Sequence, residues 1–321
     1  MPIGLGVASS HAPGMYRPKE MAKPGFDQMM ARMAERGHPT PTIAKEMTEE
    51  KLHKNWDDFR KGHGALRAQM EKYNPDAVII VGGDQSEMFD NSNKVNIAIF
   101  TGAQTFGLNS GFGFAGMTDE KYYTHYKTDV NLAKWLANEL VTKEHFDVAV
   151  SEEMKPMGGR KVAGLPHAFV NIAEILHKKD VPTVLIYENT YDPPTMVSAS
   201  RCYELGKALA RVLKNDPRKI AILGSGGLSH DPGGPRNIWI DAPLDRWVLD
   251  QISRGNGEAL KEMYQFDSMT LRGGTGEIRA WITVAGAMEY MGAKATVVDY
   301  MDAAPETQTG IGFAYWLPNK N

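Results

Sequence analysis

Lys219-Ile220-Ala221-Ile222-Leu223-Gly224-Ser225-Gly226-Gly227-Leu228-Ser229-His230 decides how this chain is read. Ile220 to Leu223 is a short, unbroken apolar run, the pattern of a buried strand. Three glycines and then a histidine follow. Glycine removes side chains and permits unusual backbone angles, so the chain just past this strand is built for access. The imidazole of His230 is thereby presented to a cavity and not packed in a core. Histidine titrates near neutrality, which suits it to proton transfer. A glycine-rich turn carrying an incidental surface histidine is the competing reading of the segment alone.

The same arrangement recurs at the other end of the chain. Ile3–Ala8 is an apolar run followed by Ser9-Ser10-His11-Ala12-Pro13-Gly14. A third segment, Gly273-Gly274-Thr275-Gly276-Glu277-Ile278-Arg279-Ala280-Trp281, places a carboxylate at the start of an apolar, helical stretch reaching Met291. Two histidines and one glutamate, each at the edge of a regular element, are the components of a 2-His-1-carboxylate iron site. They lie far apart in sequence, so only the fold can unite them.

Working outward, strand-like runs recur at Ala77–Val81, Val95–Phe100, Val148–Val150, Thr183–Tyr187 and Ala295–Val298. Helical spacing of apolar residues covers Thr42–Tyr73, Val130–Val141, Phe169–His177, Ser198–Leu213, Leu244–Ile252 and Ile278–Met291. Strands alternating with helices predict an α/β fold, one domain over residues 1–321, with a central mixed or mostly parallel sheet flanked by helices. Residues 10–41, 102–121 and 228–241 read as long loops, the first as a lid or contact arm.

Composition excludes several classes. With 42% hydrophobic and 23% charged residues, the 321-residue chain is ordinary for a soluble globular protein. A net charge of −3 and the lack of a basic patch argue against nucleic acid. There is no apolar run of about 18 residues and no secretory pattern, so neither a membrane span nor export is expected, and the reading is cytoplasmic. The single cysteine, Cys202, excludes an internal disulfide. No dinucleotide fingerprint, Walker A loop or Gly-x-Ser-x-Gly elbow occurs: Asp231-Pro232-Gly233 stops a helix from starting after the glycines.

Other polar residues sit at element ends. Asp84-Gln85-Ser86-Glu87 follows Val78–Gly83, where α/β sheets open their ligand crevice. Asp84 there either ligates a metal or caps the next turn. His167 begins a helix, where the local dipole favours neutral imidazole. Arg160 and Lys161, just before it, are candidates to hold a substrate carboxylate, as is Arg236. His53 and His63 read as solvated helix residues.

Taken together, Ser9-Ser10-His11-Ala12-Pro13, Gly224–His230 and Gly276-Glu277-Ile278-Arg279-Ala280-Trp281 resemble, in the same order, the class III extradiol ring-cleavage dioxygenases of protocatechuate 4,5-dioxygenase beta-subunit type. Gallate and 2,3-dihydroxyphenylpropionate dioxygenases are of this group. The resemblance implies a non-haem Fe(II) enzyme that opens a catechol-like aromatic acid with dioxygen. It implies His11 and Glu277 as metal ligands, His230 as the acid/base with His167 as helper, and a homo-oligomer. The chain departs from the family where a second metal histidine should follow Asp84: it has Gln85. Three explanations stay open. Gln85 (or Asp84) ligates weakly, His53 or His63 supplies the ligand, or the metal is gone. In the last case the scaffold would run oxygen-independent chemistry (hydrolysis, decarboxylation or hydration), or serve as a non-catalytic paralogous subunit.

Overall fold

The computed structural model describes residues 3–91, 93–114, 116–153, 164–265, 267–302 and 304–318. The strands are β1 (Ile3–Ser9), β2 (Ala77–Gly82), β3 (Ile97–Phe100), β4 (Gln104–Leu108), β5 (Tyr123–Lys127), β6 (Ala149–Ser151), β7 (Thr183–Glu188), β8 (Ile220–Ser225), β9 (Ala295–Met301) and β10 (Ile311–Trp316). The helices are α1 (Ala22–Glu35), α2 (Thr42–Lys45), α3 (Glu49–Tyr73), α4 (Ser110–Phe114), α5 (Val130–Thr142), α6 (His167–Asn171), α7 (Ala199–Val212), α8 (Ala242–Arg254) and α9 (Ile278–Tyr290).

Eight strands form one mixed sheet in the order β6-β3-β7-β2-β8-β1-β10-β9, and β4 pairs with β5 apart from it. The central junctions β7-β2, β2-β8 and β8-β1 are all parallel. Both faces of this central part are covered. One apolar cluster joins Ile79 and Ile222 to side chains of α5, α7, α8 and α9. The other joins Leu5, Ile80 and Leu223 to Phe59, Leu66 and Met70 of α3. Burial on two faces is why these strands read as continuous apolar runs and not as alternation. No helix among the described residues is long and apolar enough to cross a membrane.

The register places the site. Ser9 of β1 stands opposite Ser225 of β8, and Ser225 stands opposite Gly82 of β2. Three parallel strands therefore end level with one another. The segments that leave them carry His11, Gln85 and His230. The crevice at the carboxyl ends of parallel strands is where α/β sheets bind ligands.

Three expectations need correction. Residues 10–41 are not one long loop: α1 lies within them, with Phe26 and Met33 buried and Met29 and Met30 packed alongside. Pro24 masked this helix, but it falls in the first turn, where the missing N–H costs nothing. The 102–121 segment likewise contains β4 and α4. The helix expected from Thr42 to Tyr73 breaks at Glu46–Thr48, where the Thr48 side chain caps α3 by accepting from Lys51 N–H. β10, unforeseen in the strand reading, inserts antiparallel between β1 and β9.

Helices α7 and α9 cross with their backbones in contact. A Cβ on Gly206 would lie 2.0 Å from Thr283 O, and one on Gly286 would lie 2.1 Å from Tyr203 O. Neither helix can yield without lifting off the sheet. Gly206→Val should therefore destabilise by about 3 kcal/mol or more, at the upper end of overpacking costs. Thermal unfolding is the check, read as a fall of several degrees in Tm.

Candidate active site

Each residue of the Gly224–His230 segment has a partner. A Cβ on Gly224 would lie 2.8 Å from Ala280 O, and one on Gly226 would lie 2.4 Å from Glu277 O. The first turn of α9 thus sits directly on bare backbone. None of Gly224, Gly226 and Gly227 has a positive φ, so these glycines serve close approach and not an unusual backbone angle. Gly226 O accepts from the Trp281 indole N–H at 2.8 Å, which fixes α9 on the strand end. The Gly227 N–H donates to Glu277 Oε2 at 2.7 Å. Arg279 donates to the carbonyls of Val197, Thr190 and Gly276, tying the loop after β7 to the same turn.

Glu277 is the hub. Its Oε1 lies 3.5 Å from His11 Nε2 and accepts from Gln85 Nε2 at 3.2 Å. Its Oε2 lies 3.6 Å from His230 Nε2. All three of His11, Glu277 and His230 are at most 4% exposed. Burial would raise the Glu277 carboxyl, but the two facing imidazoles hold it well below the ordinary carboxylate range. It also stands at the N-terminal end of α9, where a negative charge is favoured.

The hydrogen-bond network fixes both tautomers. The Ser225 hydroxyl donates to Ala168 O, so it accepts from His11 Nδ1 at 3.0 Å. His230 Nδ1 faces the Leu228 carbonyl at 2.8 Å, which can only accept. Both Nδ1 atoms therefore carry hydrogen, and both Nε2 atoms face the Glu277 carboxylate. The two imidazoles differ in basicity. Burial, with His167 and His230 nearby, lowers His11 despite the pull of Glu277. Burial also acts against His230, but Glu277, the Leu228 carbonyl and Asp245 outweigh it and raise the group. Asp245 stands behind His230, accepting from Ser229 N–H, Ser229 Oγ and the Tyr300 hydroxyl.

His167 is held by a residue that the sequence reading quoted without assigning it a role. Glu87 accepts from His167 N–H at 2.6 Å and from its Nδ1 at 2.8 Å. The His167 ring stands edge-on to His11, with centroids 4.8 Å apart. Asp84 accepts from the N–H groups of Glu87, Met88 and Phe89, which is the turn-capping role. That turn aims Gln85 at Glu277.

A cavity of about 250 Å³ is lined by His11, Gln85, His167, His230 and Glu277, and by residues of α1. Three other candidates among the described residues lie elsewhere. Arg236 reaches Asp231 at 3.8 Å and Arg272 O at 3.3 Å and does not line the cavity. Arg160 lies outside the described residues. His53 pairs along α3 with Glu49 at 3.9 Å. His63 is buried between Ser9 and Glu174 and lines a separate cavity of about 1200 Å³. Among the described residues, no group of three or more His, Cys, Asp and Glu side chains is arranged to hold a metal ion.

The family model LigB, catalytic LigB subunit of aromatic ring-opening dioxygenase, matches residues 33–313. The chain belongs to this LigB family. A 2,3-dihydroxyphenylpropionate/2,3-dihydroxicinnamic acid 1,2-dioxygenase of Comamonas testosteroni is 28% identical over 178 residues, 54% of this chain and 49% of that protein. This match spans about half the length of that relative. The protein of the same name from Burkholderia vietnamiensis is 25% identical over 295 residues, 77% of this chain and 86% of its own length. A gallate dioxygenase of Pseudomonas putida is 34% identical over 94 residues, 28% of this chain and 27% of that protein. Within the LigB family fold, the convergent groups of this chain are those whose segments carried the resemblance, with Gln85 where a histidine was expected.

Proposed function

We propose that this chain opens the ring of a catechol-like aromatic acid in the extradiol manner, placing both atoms of one dioxygen in the product. The observation that carries this reading is the meeting of His11, Gln85, Glu277 and His230 at one cavity of about 250 Å³. The donor chemistry fits a divalent cation. His11 Nε2 and Glu277 Oε1 present lone pairs to each other across 3.5 Å, and a cation between them would satisfy both. The Gln85 amide is the third group in reach, and rotating it by half a turn presents its oxygen. An imidazole, a carboxylate and an amide make a weaker set for iron than two imidazoles and a carboxylate. Fe(II) held by His11, Glu277 and Gln85 would supply the redox chemistry that joins dioxygen to the ring.

The chain's own groups do the rest. His230 takes the proton of a ring hydroxyl at Nε2, while its Nδ1–H stays on Leu228 O. The resulting imidazolium is stabilised by Glu277 and Asp245, so the proton is held close by for return to the opened product. His167, clamped by Glu87, is placed to hydrogen-bond a ring oxygen. The buried walls exclude water from the reacting groups.

The test is anaerobic loading with Fe(II), followed by oxygen and a panel of catechols with and without acidic arms. The expected result is one dioxygen consumed per ring opened, read by an oxygen electrode and by product absorbance. Inactivity across the panel would overturn the proposal, and turnover without dioxygen would move the chain to hydrolytic or decarboxylative chemistry.

A further inference from the structure

The larger cavity, of about 1200 Å³, shares no lining residue with the catalytic one of about 250 Å³. Three parts of the fold wall it: α3, the β4–β5 hairpin and the stretch from α6 to β7. Its charge runs against that of the chain. The chain carries −3 overall, yet Arg60, Arg67, Lys121, Lys127, Lys178 and Lys179 line this cavity against two carboxylates, Glu174 and Asp180. Glu174 is already committed: burial would raise it, but His63 and Arg60 hold it below the ordinary carboxylate range. Arg67 and Lys121 have exposed partners in Glu71 and Asp119, pairs that solvent screens. Lys127, Lys178 and Lys179 have no ion pair among the described residues, and Lys178 reaches the Asn74 amide oxygen at 3.0 Å.

The hairpin adds flat surface to this charge. Phe106 and His125 stand opposite each other in the β4–β5 register, and Tyr123 lies one pair along the same face. The Phe106 and His125 rings stack with centroids 5.9 Å apart, and those of Phe106 and Tyr123 lie 6.2 Å apart. Alternation along β5 sets Lys127 on this face too. Phe106 is 38% exposed, so part of its ring is open to a ligand. Deeper in the wall, Arg60 Nε and the Thr105 hydroxyl are enclosed without a hydrogen-bond partner. Buried polar groups in that state are costly, which marks the wall as more than a packing surface. A cleft lined by one sign of charge concentrates ions of the other. Cations arriving from separate elements favour a ligand with several charges over a single carboxylate. Aromatic rings beside them suit a flat ring joined to phosphates, through stacking and charge-assisted hydrogen bonds. The volume likewise favours a ligand larger than a single-ring acid.

We propose that this second cavity binds a flat ring joined to a polyphosphate chain, the ring on Phe106 and His125 and the phosphates among Lys127, Lys178, Lys179 and Arg67. These cations stand in for the glycine-rich phosphate loops that the sequence lacks. A nucleoside diphosphate and the head group of coenzyme A share this chemistry. The site is independent of ring opening and is tested by binding alone. The probes are ADP, coenzyme A, adenosine and inorganic pyrophosphate, titrated by calorimetry into the intact chain. ADP should bind at least about tenfold tighter than adenosine, the scale of hydrogen bonds to a charged group. It should bind about fivefold tighter than pyrophosphate, the scale of one stacked base. Added salt should weaken ADP and leave adenosine nearly unchanged. The Lys127→Gln/Lys178→Gln double variant should lose about tenfold in ADP affinity and nothing in adenosine affinity. Phe106→Ala should bring ADP down to the level of pyrophosphate and leave pyrophosphate alone. Lys134→Gln, paired with Glu152 and outside the cavity, should change neither. 3,4-Dihydroxybenzoate, a single-ring acid of a size for the catalytic cavity, should not displace ADP. Coenzyme A binding tighter than ADP would name an acyl carrier as the source, and the reverse a free nucleotide; both outcomes uphold the site. No binding of ADP, ADP no tighter than adenosine, displacement by dihydroxybenzoate, or ADP affinity unchanged in either variant would each overturn the proposal.

Discussion

His230→Gln should lower the rate of ring opening by about 10²- to 10⁴-fold, the range expected when a positioned acid/base group is removed. Glutamine keeps a hydrogen-bonding amide in a similar volume, but it cannot take and return a proton. The loss should fall on kcat and not on KM, because the groups proposed to hold the ion and to contact a ring oxygen are untouched. Fe(II) content should also be nearly unchanged, since His230 is not among the three groups proposed to hold the ion. Stopped-flow absorbance of the ring-opened product, with metal analysis of the same sample, separates these outcomes. A variant within about threefold of the intact chain would remove His230 from the proton path.

The surroundings of His230 explain why no neighbour can replace it. A Cβ on Gly274 would lie 2.1 Å from its Nε2, so the ring occupies space that only glycine leaves open. Its backbone N–H donates to the Thr275 hydroxyl at 3.1 Å, and its Nδ1 is committed to Leu228 O. The Leu228 carbonyl, the Thr275 hydroxyl and the bare Gly274 backbone thus fix the imidazole. One nitrogen is left for chemistry.

The sequence carried much of this. Ile220–Leu223 announced a strand buried on both faces, and the glycines after it announced access. What it could not carry was partnership. Gly226 faces Glu277 from 51 positions away, and nothing in either local pattern specifies that approach. The expectation of unusual backbone angles at these glycines failed for the same reason: Gly224 and Gly226 are bare for the approach of α9, which only the fold brings near. Glu87 was legible as a residue past a strand, but its grip on His167 depends on the Asp84-capped turn. Helix α1 was legible in Phe26, Met29, Met30 and Met33, which recur at helical spacing, yet Pro24 and Gly25 obscured it. Pro24 is tolerated for a local reason, its position in the first turn.

Gln85→His should raise Fe(II) affinity by at least roughly tenfold, since even partners one step removed from a metal act on the scale of 10- to 100-fold. The structure places the Gln85 amide 3.2 Å from the Glu277 carboxylate, so an imidazole at this position would face the same point as His11 Nε2. It would replace a neutral amide with a donor better suited to iron. Gln85→Leu should act in the opposite sense, leaving one imidazole and one carboxylate, and His11→Ala should abolish retention. Competition against a chelator under argon, with iron content of the protein as isolated, reads all three without relying on turnover. If Gln85→His and Gln85→Leu both match the intact chain, Gln85 does not reach the ion, and the third donor must come from another wall of the cavity, with His167 the nearest imidazole to His11. If the intact chain already holds iron as tightly as Gln85→His, the amide is as good a ligand here as an imidazole. The preorganisation by the Asp84 turn would then count for more than the chemical type of the donor.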